Sequence, residues 1–354
     1  MDGMNAVCAR RSSALFALVA ALSGCDDAAE VQGDDYAPSD EKGDIFSGDN
    51  SVERHELEIS DPRYEFARAS AALIKTDKIS LTPQGWALQG QTLGEKRRLC
   101  DDEAFREQPA VASCSGTLIG EDLVLTAGHC LTKFTGTAES VPAVQEACDA
   151  TKVAFDFAYE TEGSRLVSLP EEKVYQCTRV LERELHFLLN GDLIDYGIIK
   201  LDRPVTDRAP MKLRDGAPME SGADVTIAGH PEGIPQKISD SKVADSLECT
   251  RLGHNAGTSV ISSGSGIFDP VTNAVAGIHS QGVTAQTYGL NEERGCHAAN
   301  VCGEGGVECR SSAVAYDVSG MLSLIPEDVK EKLRIVEAVR PSACGAPDGG
   351  DSDD

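Results

Sequence analysis

Short apolar segments separated by turn-forming residues run through most of this 354-residue chain. In order they are ASAALI, SGTLI, LVLTAG, YGIIKL, DVTIAGH, SGIFD and AVAGIHS. Each is only long enough for a β-strand, and 34 glycines are available for the turns between them. Helical periodicity is confined to SLIPEDVKEKLRIVEAV, where Pro326 precedes acids and then apolar residues. The pattern predicts an all-β barrel or sandwich with a C-terminal helix over residues 326–340.

The N-terminus has the residue pattern of an export signal. Arg10 and Arg11 precede the apolar stretch ALFALVAAL, and LSGC ends at Cys25. A charged start, a short apolar core and small residues are typical of a signal peptide, here residues 1–25. LSGC also resembles a bacterial lipobox, which would make Cys25 a lipid-modified residue and anchor the protein to a membrane. The alternative is an ordinary signal peptide with an incidental cysteine, and both interpretations predict export.

Acidic segments flank the predicted folded region. Residues 26–44 are nearly devoid of apolar side chains and are predicted to be a disordered tether or propeptide. Residues 341–354 form a similar acidic tail. The formal net charge is −26 and no basic stripe is present, so binding to nucleic acid is not expected.

The cysteine count favours disulfide bonds. Twelve cysteines less Cys8 and Cys25 leave ten, an even number in an exported chain. The cluster CHAANVCGEGGVEC could instead form a zinc site with His297, but its spacings are not the tight pairs that zinc sites favour. We therefore predict disulfides and neither a metal nor another cofactor.

The segment CSGTLIGEDLVLTAGHC, residues 114–130, contains a candidate catalytic residue. It is a strand, a turn, a second strand and a histidine between small residues and a cysteine. A Cys114–Cys130 bridge would close this hairpin, with a stabilisation of about 2–4 kcal/mol. Because that bridge would fix His129 at the end of the hairpin, His129 is a candidate general base.

LTAGHC resembles the histidine motif of the trypsin/chymotrypsin-like serine proteases. The resemblance implies two six-stranded antiparallel β-barrels over residues 45–325, with a boundary near 206–215 and the active site between the barrels. It also implies the order His, Asp, Ser along the chain. DYGIIKLDRPV then nominates Asp195, with Asp192 as an alternative.

The catalytic serine that the resemblance implies lies in SSGSGIFD. Ser263 is the predicted nucleophile and Ser265 is the alternative. The oxyanion hole would be formed by the backbone amides of Ile261 and Ser263. Ile261 and Val260 replace glycines of the family pattern, and a β-branched residue with positive φ is strained. Since one missing donor costs about 10²–10³ in rate, a slow enzyme is expected.

AVAGIHSQG resembles a wall of the family's S1 pocket, particularly in bacterial glutamyl endopeptidases. The resemblance places Thr258, His279, Ser280 and Gly282 in that pocket. A hydroxyl and an imidazole suit a carboxylate, so Glu or Asp is expected at P1. Gly257 replaces the acid of trypsin-type pockets, which argues against Arg or Lys at P1. The alternative interpretation of His279 is a core histidine.

GDIFSGDNSVERHEL, residues 43–57, resembles the mature start of the glutamyl endopeptidases. This predicts cleavage between Asp44 and Ile45, which would release the enzyme from its tether.

The predicted function is that of an exported serine endopeptidase, secreted or anchored at the cell surface, monomeric and acting on proteins or peptides. The rival hypothesis is a weakly active or inactive protease-fold module that binds peptides or partners. An α/β-hydrolase is disfavoured for two reasons. Its serine would lie in a G-x-S-x-G elbow between a strand and a helix, and its catalytic histidine would come last along the chain.

Overall fold

The computed structural model describes residues 51–132, 141–187, 193–217, 219–245, 251–254, 262–281, 288–299 and 313–338. Several predictions concern residues outside these ranges. They are the signal peptide with Cys25, the tether 26–44, Ile45, Asp192, Thr258, Ile261, Gly282 and the tail 341–354.

Strands dominate the described residues, and every one of the seven apolar segments overlaps a strand. The strands are β1 (Ser51–Val52), β2 (Ser70–Lys75), β3 (Ile79–Thr82), β4 (Gly85–Leu88), β5 (Ala112–Gly120), β6 (Leu123–Thr126), β7 (Thr151–Phe155), β8 (Ser168–Leu169), β9 (Val174–Phe187), β10 (Leu193–Leu201), β11 (Lys212–Asp215), β12 (Asp224–Gly229), β13 (Lys237–Asp245), β14 (Arg251–His254), β15 (Gly266–Asp269), β16 (Ala274–Gln281), β17 (Tyr288–Asn291), β18 (Cys296–Ala299), β19 (Ala313–Asp317) and β20 (Ile335–Glu337). The α-helices are α1 (Pro62–Ala69), α2 (Leu93–Arg97), α3 (Val141–Asp149), α4 (Val318–Leu322) and α5 (Glu327–Lys330).

The first barrel is closed by six strands in the order β10-β6-β5-β2-β7-β9. All of its strand pairs are antiparallel. Its interior is filled by apolar side chains such as Leu118, Val124 and Ile199, which are fully buried. β-branched and leucine side chains pack well on a pleated surface, which explains why these short segments form strands.

The second barrel follows the order β15-β12-β13-β14-β19-β16 and closes through the pairing of β15 with β16. Its six strand pairs are also antiparallel. β11 extends this sheet by parallel pairing with β16, and β20 pairs in parallel with β11. The prediction of two six-stranded antiparallel barrels is therefore confirmed.

Aromatic side chains pack where the barrels meet. Phe66 stacks on Phe268 with ring centroids 4.4 Å apart. Tyr196 of β10 stacks on Tyr316 of β19 with a centroid distance of 5.8 Å. These rings are buried and belong to one core cluster that includes residues of both barrels. The second contact brings β10, which carries Asp195, against the second barrel.

The C-terminal helix is shorter than predicted, so the predicted range of 326–340 is wrong. A helix does begin after Pro326, but α5 ends at Lys330, and Ile335–Glu337 form the strand β20. Leu213 of β11 pairs with Ile335. The β-branched residues at 335 and 336 suit this strand, so pairing with β11 overrides the helical spacing.

Three disulfides are present among the described residues: Cys100–Cys296, Cys114–Cys130 and Cys148–Cys177. The predicted Cys114–Cys130 bridge is thus observed. Cys296 is bonded to Cys100, which removes it from the alternative zinc site. Cys249, Cys302, Cys309 and Cys344 lie outside the described residues. In the part of the chain that the structure describes, no helix is long and apolar enough to cross a membrane.

Candidate active site

His129 lies on a short 3₁₀ turn, Gly128–Leu131, directly after β6. The Cys114–Cys130 disulfide joins this turn to β5. Gly128 has no room for a side chain, because a Cβ there would lie 2.2 Å from the carbonyl oxygen of Glu184. Arg183 donates from Nε to the Gly128 carbonyl over 3.0 Å. These contacts fix the turn, and the His129 side chain remains 37 % exposed.

Asp195 is fully buried on β10 and accepts two hydrogen bonds from His129. His129 Nδ1 lies 2.6 Å from Oδ2, and the His129 backbone N–H donates to Oδ1 over 2.9 Å. Ser280 donates from Oγ to Oδ2 over 2.5 Å. Burial by itself raises the pKa of Asp195, but the hydrogen bonds from His129 and Ser280 outweigh it and lower that pKa below its ordinary value. The carboxylate is therefore ionised at neutral pH.

The ionised Asp195 determines which nitrogen of His129 is basic. A carboxylate can only accept a hydrogen bond, so the proton between the two groups belongs to His129 Nδ1. The lone pair of a neutral imidazole then lies on Nε2. His129 is accordingly prepared to take a proton at Nε2.

Ser263 lies on the turn before β15 and is half-buried. Its Oγ donates to the Ser280 carbonyl at 3.5 Å, the outer limit of a hydrogen bond. Cys130 Sγ, next in sequence to His129, lies 3.8 Å from the Ser263 carbonyl oxygen. Ser280 thus contacts both Asp195 and Ser263, and the fold brings together the three residues that the sequence places far apart.

Ser265, the alternative nucleophile, is 1 % exposed. Its Oγ donates to the Ser262 carbonyl over 2.6 Å. Between Ser263 and Ser265, Gly264 adopts a φ of +85° and donates its N–H to the His279 carbonyl over 2.8 Å. The turn therefore buries the hydroxyl of Ser265 and leaves that of Ser263 partly accessible.

His279 of β16 is buried, with 1 % exposure. Its Nδ1 lies 3.1 Å from Nε2 of His254 on β14, a residue that is also buried. Burial, together with the nearby His129, lowers the pKa of His279 to about 4, although Asp195 acts in the opposite direction. Burial also lowers the pKa of His254 far below its ordinary value. Both rings are neutral at pH 7, so one proton lies between the two facing nitrogens.

Ser280 has a contact that the sequence analysis did not predict. Its hydroxyl donates to Asp195, so it is not available to a substrate side chain, and any substrate contact of Ser280 would come from its main chain. No local pattern indicates this contact, since Ser280 is simply adjacent to the predicted pocket residue His279. His254 was also missed, because a single histidine at the end of a short strand has no distinguishing pattern.

One cluster has the composition of a metal site. The side-chain donor atoms of Cys114, His129 and Cys130 lie within 4.8 Å of one another. The two sulfurs are bonded to each other and cannot act as thiolate ligands. This cluster is therefore a disulfide beside a histidine.

Comparison with protein families identifies the domain. Residues 114–278 match the model of the trypsin-like peptidase domain. The matched segment contains His129, Asp195 and Ser263, and it includes strands of both barrels. These residues therefore form a peptidase domain of the trypsin/chymotrypsin-like superfamily.

Solved structures of three peptidases are similar to this chain. The Vibrio cholerae VesB protease is 15 % identical with a TM-score of 0.43, and the match covers 81 % of this chain and 68 % of that one. A Glu endopeptidase in complex with MPD is 13 % identical with a TM-score of 0.46, covering 81 % and 100 %. Kallikrein-related peptidase 10 is 13 % identical with a TM-score of 0.42, covering 75 % and 98 %. No curated protein matches the sequence.

Proposed function

We propose that this trypsin-like peptidase is a serine endopeptidase whose triad is His129, Asp195 and Ser263. The observation that carries the proposal is the buried, ionised Asp195, which accepts hydrogen bonds from both the ring and the backbone of His129. A buried carboxylate that orients a partly exposed imidazole is what a general base requires. The half-buried Ser263 is within contact of the same cluster through Ser280.

In the proposed mechanism, Ser263 Oγ attacks the scissile carbonyl carbon while its proton passes to His129 Nε2. Asp195 stabilises the imidazolium that forms. His129 then gives the proton to the leaving amine as the C–N bond breaks, which leaves an acyl-enzyme on Ser263. Water, deprotonated by His129, hydrolyses the ester. Backbone amides of Ile261 and Ser263 are proposed to bind the oxyanion.

We further propose a preference for Glu or Asp at P1, with Thr258, His279 and Gly282 forming the pocket. The contact between His254 and Nδ1 of His279 supports this, since it leaves Nε2 as the ring nitrogen that can meet a ligand. A neutral imidazole with a proton on Nε2 would donate to a carboxylate. A P1 carboxylate would also raise the pKa of His279, because an opposite charge stabilises the protonated form.

Export and N-terminal processing form part of the proposal. The three disulfides are compatible with an oxidising compartment. β1 pairs with β13, and Glu53 forms an ion pair with the buried Lys237 over 2.8 Å. The chain is thus attached to the peptidase domain from Ser51 onward, so a cut between Asp44 and Ile45 would separate only the tether and its proposed Cys25 anchor. N-terminal sequencing of the secreted form tests this, and an intact bond in active protein would contradict it.

The test of the triad uses the secreted form and its Ser263→Ala variant, each incubated with proteome-derived peptides. We expect products that end in Glu or Asp, and we expect them to be absent for the variant. Labelling with a fluorophosphonate and mapping of the labelled peptide should identify Ser263. Labelling at Ser265 would overturn the assignment of the nucleophile. Folded wild type that neither cleaves peptides nor reacts with the fluorophosphonate would favour the binding module.

P1 preference is tested with one peptide series carrying Glu, Asp, Gln or Lys at the cleaved position. The His279→Gln variant should lose most of the advantage of Glu over Gln while it keeps Ser263 reactive toward the fluorophosphonate. An unchanged ratio between the Glu and Gln peptides would contradict the proposed pocket and leave the triad intact.

A further inference from the structure

Ser115 of β5 lies at the contact between the two barrels and is completely buried. Its backbone N–H donates to the carbonyl of Ser263 over 2.8 Å. Ser115 belongs to the first barrel, whereas the Ser263 turn leads into β15 of the second. The hydrogen bond therefore connects the barrel that carries His129 and Asp195 to the residue proposed as nucleophile.

The side chain of Ser115 makes a second contact with the second barrel. Its Oγ accepts a hydrogen bond from the backbone N–H of His230, which follows β12, over 2.9 Å. The carbonyl of Ser115 accepts from Oγ1 of Thr126 on β6 over 2.7 Å. All three polar groups of Ser115 are thus used, two of them toward the second barrel and one within the first.

Ser115 is also linked to His129 through a short series of covalent bonds. Cys114 precedes Ser115 and is bonded to Cys130, which follows His129. The path from His129 to Ser263 therefore consists of one disulfide, one peptide bond on each side of it and one hydrogen bond. A short path of this kind limits how far the two residues can move apart.

The Ser263 turn packs directly on Ser115. Gly264 has a φ of +85°, and a Cβ at that position would lie 2.1 Å from the Ser115 carbonyl oxygen and 2.4 Å from Thr126 Oγ1. On the other side, a Cβ at Gly229 would lie 3.0 Å from Ser115 Oγ. These glycines allow backbone to approach backbone, so a shift of Ser115 would be transmitted to the turn.

We infer that Ser115 is a positioning residue that sets the separation between His129 and Ser263. This inference rests on the proposed function. Loss of the hydroxyl leaves the buried N–H of His230 without its acceptor and loosens the contact between β5 and the second barrel. Proton transfer and nucleophilic attack depend on sub-ångström placement, so the effect falls on the chemical step rather than on substrate binding.

The experiment compares Ser115→Ala with Ser113→Ala in the secreted protein. Ser113 lies on the same strand, but its hydroxyl donates to the Leu73 carbonyl within the first barrel, over 3.0 Å. We expect Ser115→Ala to lower kcat about tenfold with KM changed less than about twofold. The pH dependence of kcat/KM should stay in place, because the contacts of Asp195 are intact. Ser113→Ala should match the wild type.

Thr126→Val provides a second variant of nearly the same shape. It removes the hydrogen bond to the Ser115 carbonyl and should lower kcat by a smaller factor, again without a change in KM. It also keeps the inference testable should Ser115→Ala fail to fold, which circular dichroism would reveal. An active wild type whose kcat is unchanged in both folded variants would overturn the positioning role alone. A wild type without Ser263-dependent turnover would overturn the proposed function and this inference with it.

Discussion

Two carboxylates of the first barrel, the fully buried Asp195 and the half-buried Asp156 directly after β7, have lowered pKa values for different reasons. Burial raises the pKa of each, and hydrogen-bonded partners outweigh that effect. The partners of Asp195 are His129 and Ser280, of which only His129 can carry a charge. Asp156 instead contacts Arg54 over 2.5 Å, Arg208 over 2.7 Å and Lys173 over 3.1 Å.

The difference shows how one barrel uses the same residue type in two ways. Guanidinium groups stay charged at every accessible pH, so the cluster around Asp156 is a permanent, structural ion network. It joins Arg54, in the segment that follows β1, to the end of the barrel near β7. An imidazole can both accept and donate a proton, so Asp195 has a partner suited to proton transfer.

The largest predicted effect is a loss of activity when Asp195, and not Asp156, is replaced by asparagine. We expect Asp195→Asn to lower kcat by about 10³–10⁴-fold, because an amide no longer enforces the proton on His129 Nδ1. The free energy of unfolding should change by less than about 2 kcal/mol, since the amide retains hydrogen bonding. Steady-state kinetics and urea unfolding of the same preparation measure both quantities. Activity within tenfold of wild type would remove Asp195 from the triad.

The second prediction concerns the pH range in which stability is lost. Burial lowers the pKa of His230 to about 3 and that of His279 to about 4, and it also lowers that of His254. The unfolded chain takes up these protons near pH 6.5, so it binds more protons than the native state below that pH. Stability is then lost as pH falls, by about 1 kcal/mol per histidine between pH 6 and pH 5.

The carboxylates act in a different range. The folded-state pKa of Asp156 is lowered, so its contribution is complete above the unfolded value near 4 and is lost only as pH falls below it. Urea unfolding across pH 7 to 3 should therefore show a histidine range followed by a carboxylate range. Asp156→Asn should reduce the loss of stability in the carboxylate range and leave the loss in the histidine range unchanged. Equal stability at pH 7 and pH 5 would contradict the burial of the histidines.

The third prediction is the counterpart of the first. Asp156→Asn leaves Arg54 and Arg208, both buried, without their shared carboxylate. We expect the free energy of unfolding to fall by about 2 kcal/mol at pH 7, because each buried guanidinium loses one of its two carboxylate partners, while Arg54 keeps Glu160 and Arg208 keeps Asp207. The kcat of the folded variant should equal that of the wild type. A loss of kcat without a loss of stability would show that the cluster also serves the active site.

The weakest predicted effect isolates one contact of Asp195. Ser280→Ala removes the hydroxyl that donates to Oδ2 and leaves both hydrogen bonds from His129. A hydrogen bond to a charged acceptor contributes about 1.5–3 kcal/mol, and part of this is recovered by the remaining donors, so we expect kcat to fall about tenfold or less. Ser323→Ala, an exposed hydroxyl that bonds only to the Gly320 carbonyl, is a control. An effect as large as that of Asp195→Asn would mean that Ser280 has a more direct role.

Local patterns in the sequence were sufficient for the strands, whereas the family resemblance nominated the three residues of the proposed triad. The apolar segments are short and bounded by turns, so strand formation follows from residues that are neighbours in the chain. The motifs LTAGHC, DYGIIKLDRPV and SSGSGIFD nominated His129, Asp195 and Ser263, which stay a proposal. The helix predicted over residues 326–340 is wrong in extent because its second half pairs with β11, more than a hundred residues earlier in the chain.

The amino-acid sequence alone was thus enough to predict the all-β class, the two-barrel resemblance and the Cys114–Cys130 bridge, and to nominate His129, Asp195 and Ser263 for the proposed triad. Three further contacts emerged only from the folded chain: Ser280 donates to Asp195, His254 faces His279, and Ser115 connects the barrels at Ser263. Each of them joins residues of separate elements of the fold, over separations of 25 to 148 positions in the sequence. Such contacts escape prediction because a side chain's chemistry depends on burial and partners, which are created when the strands close into barrels.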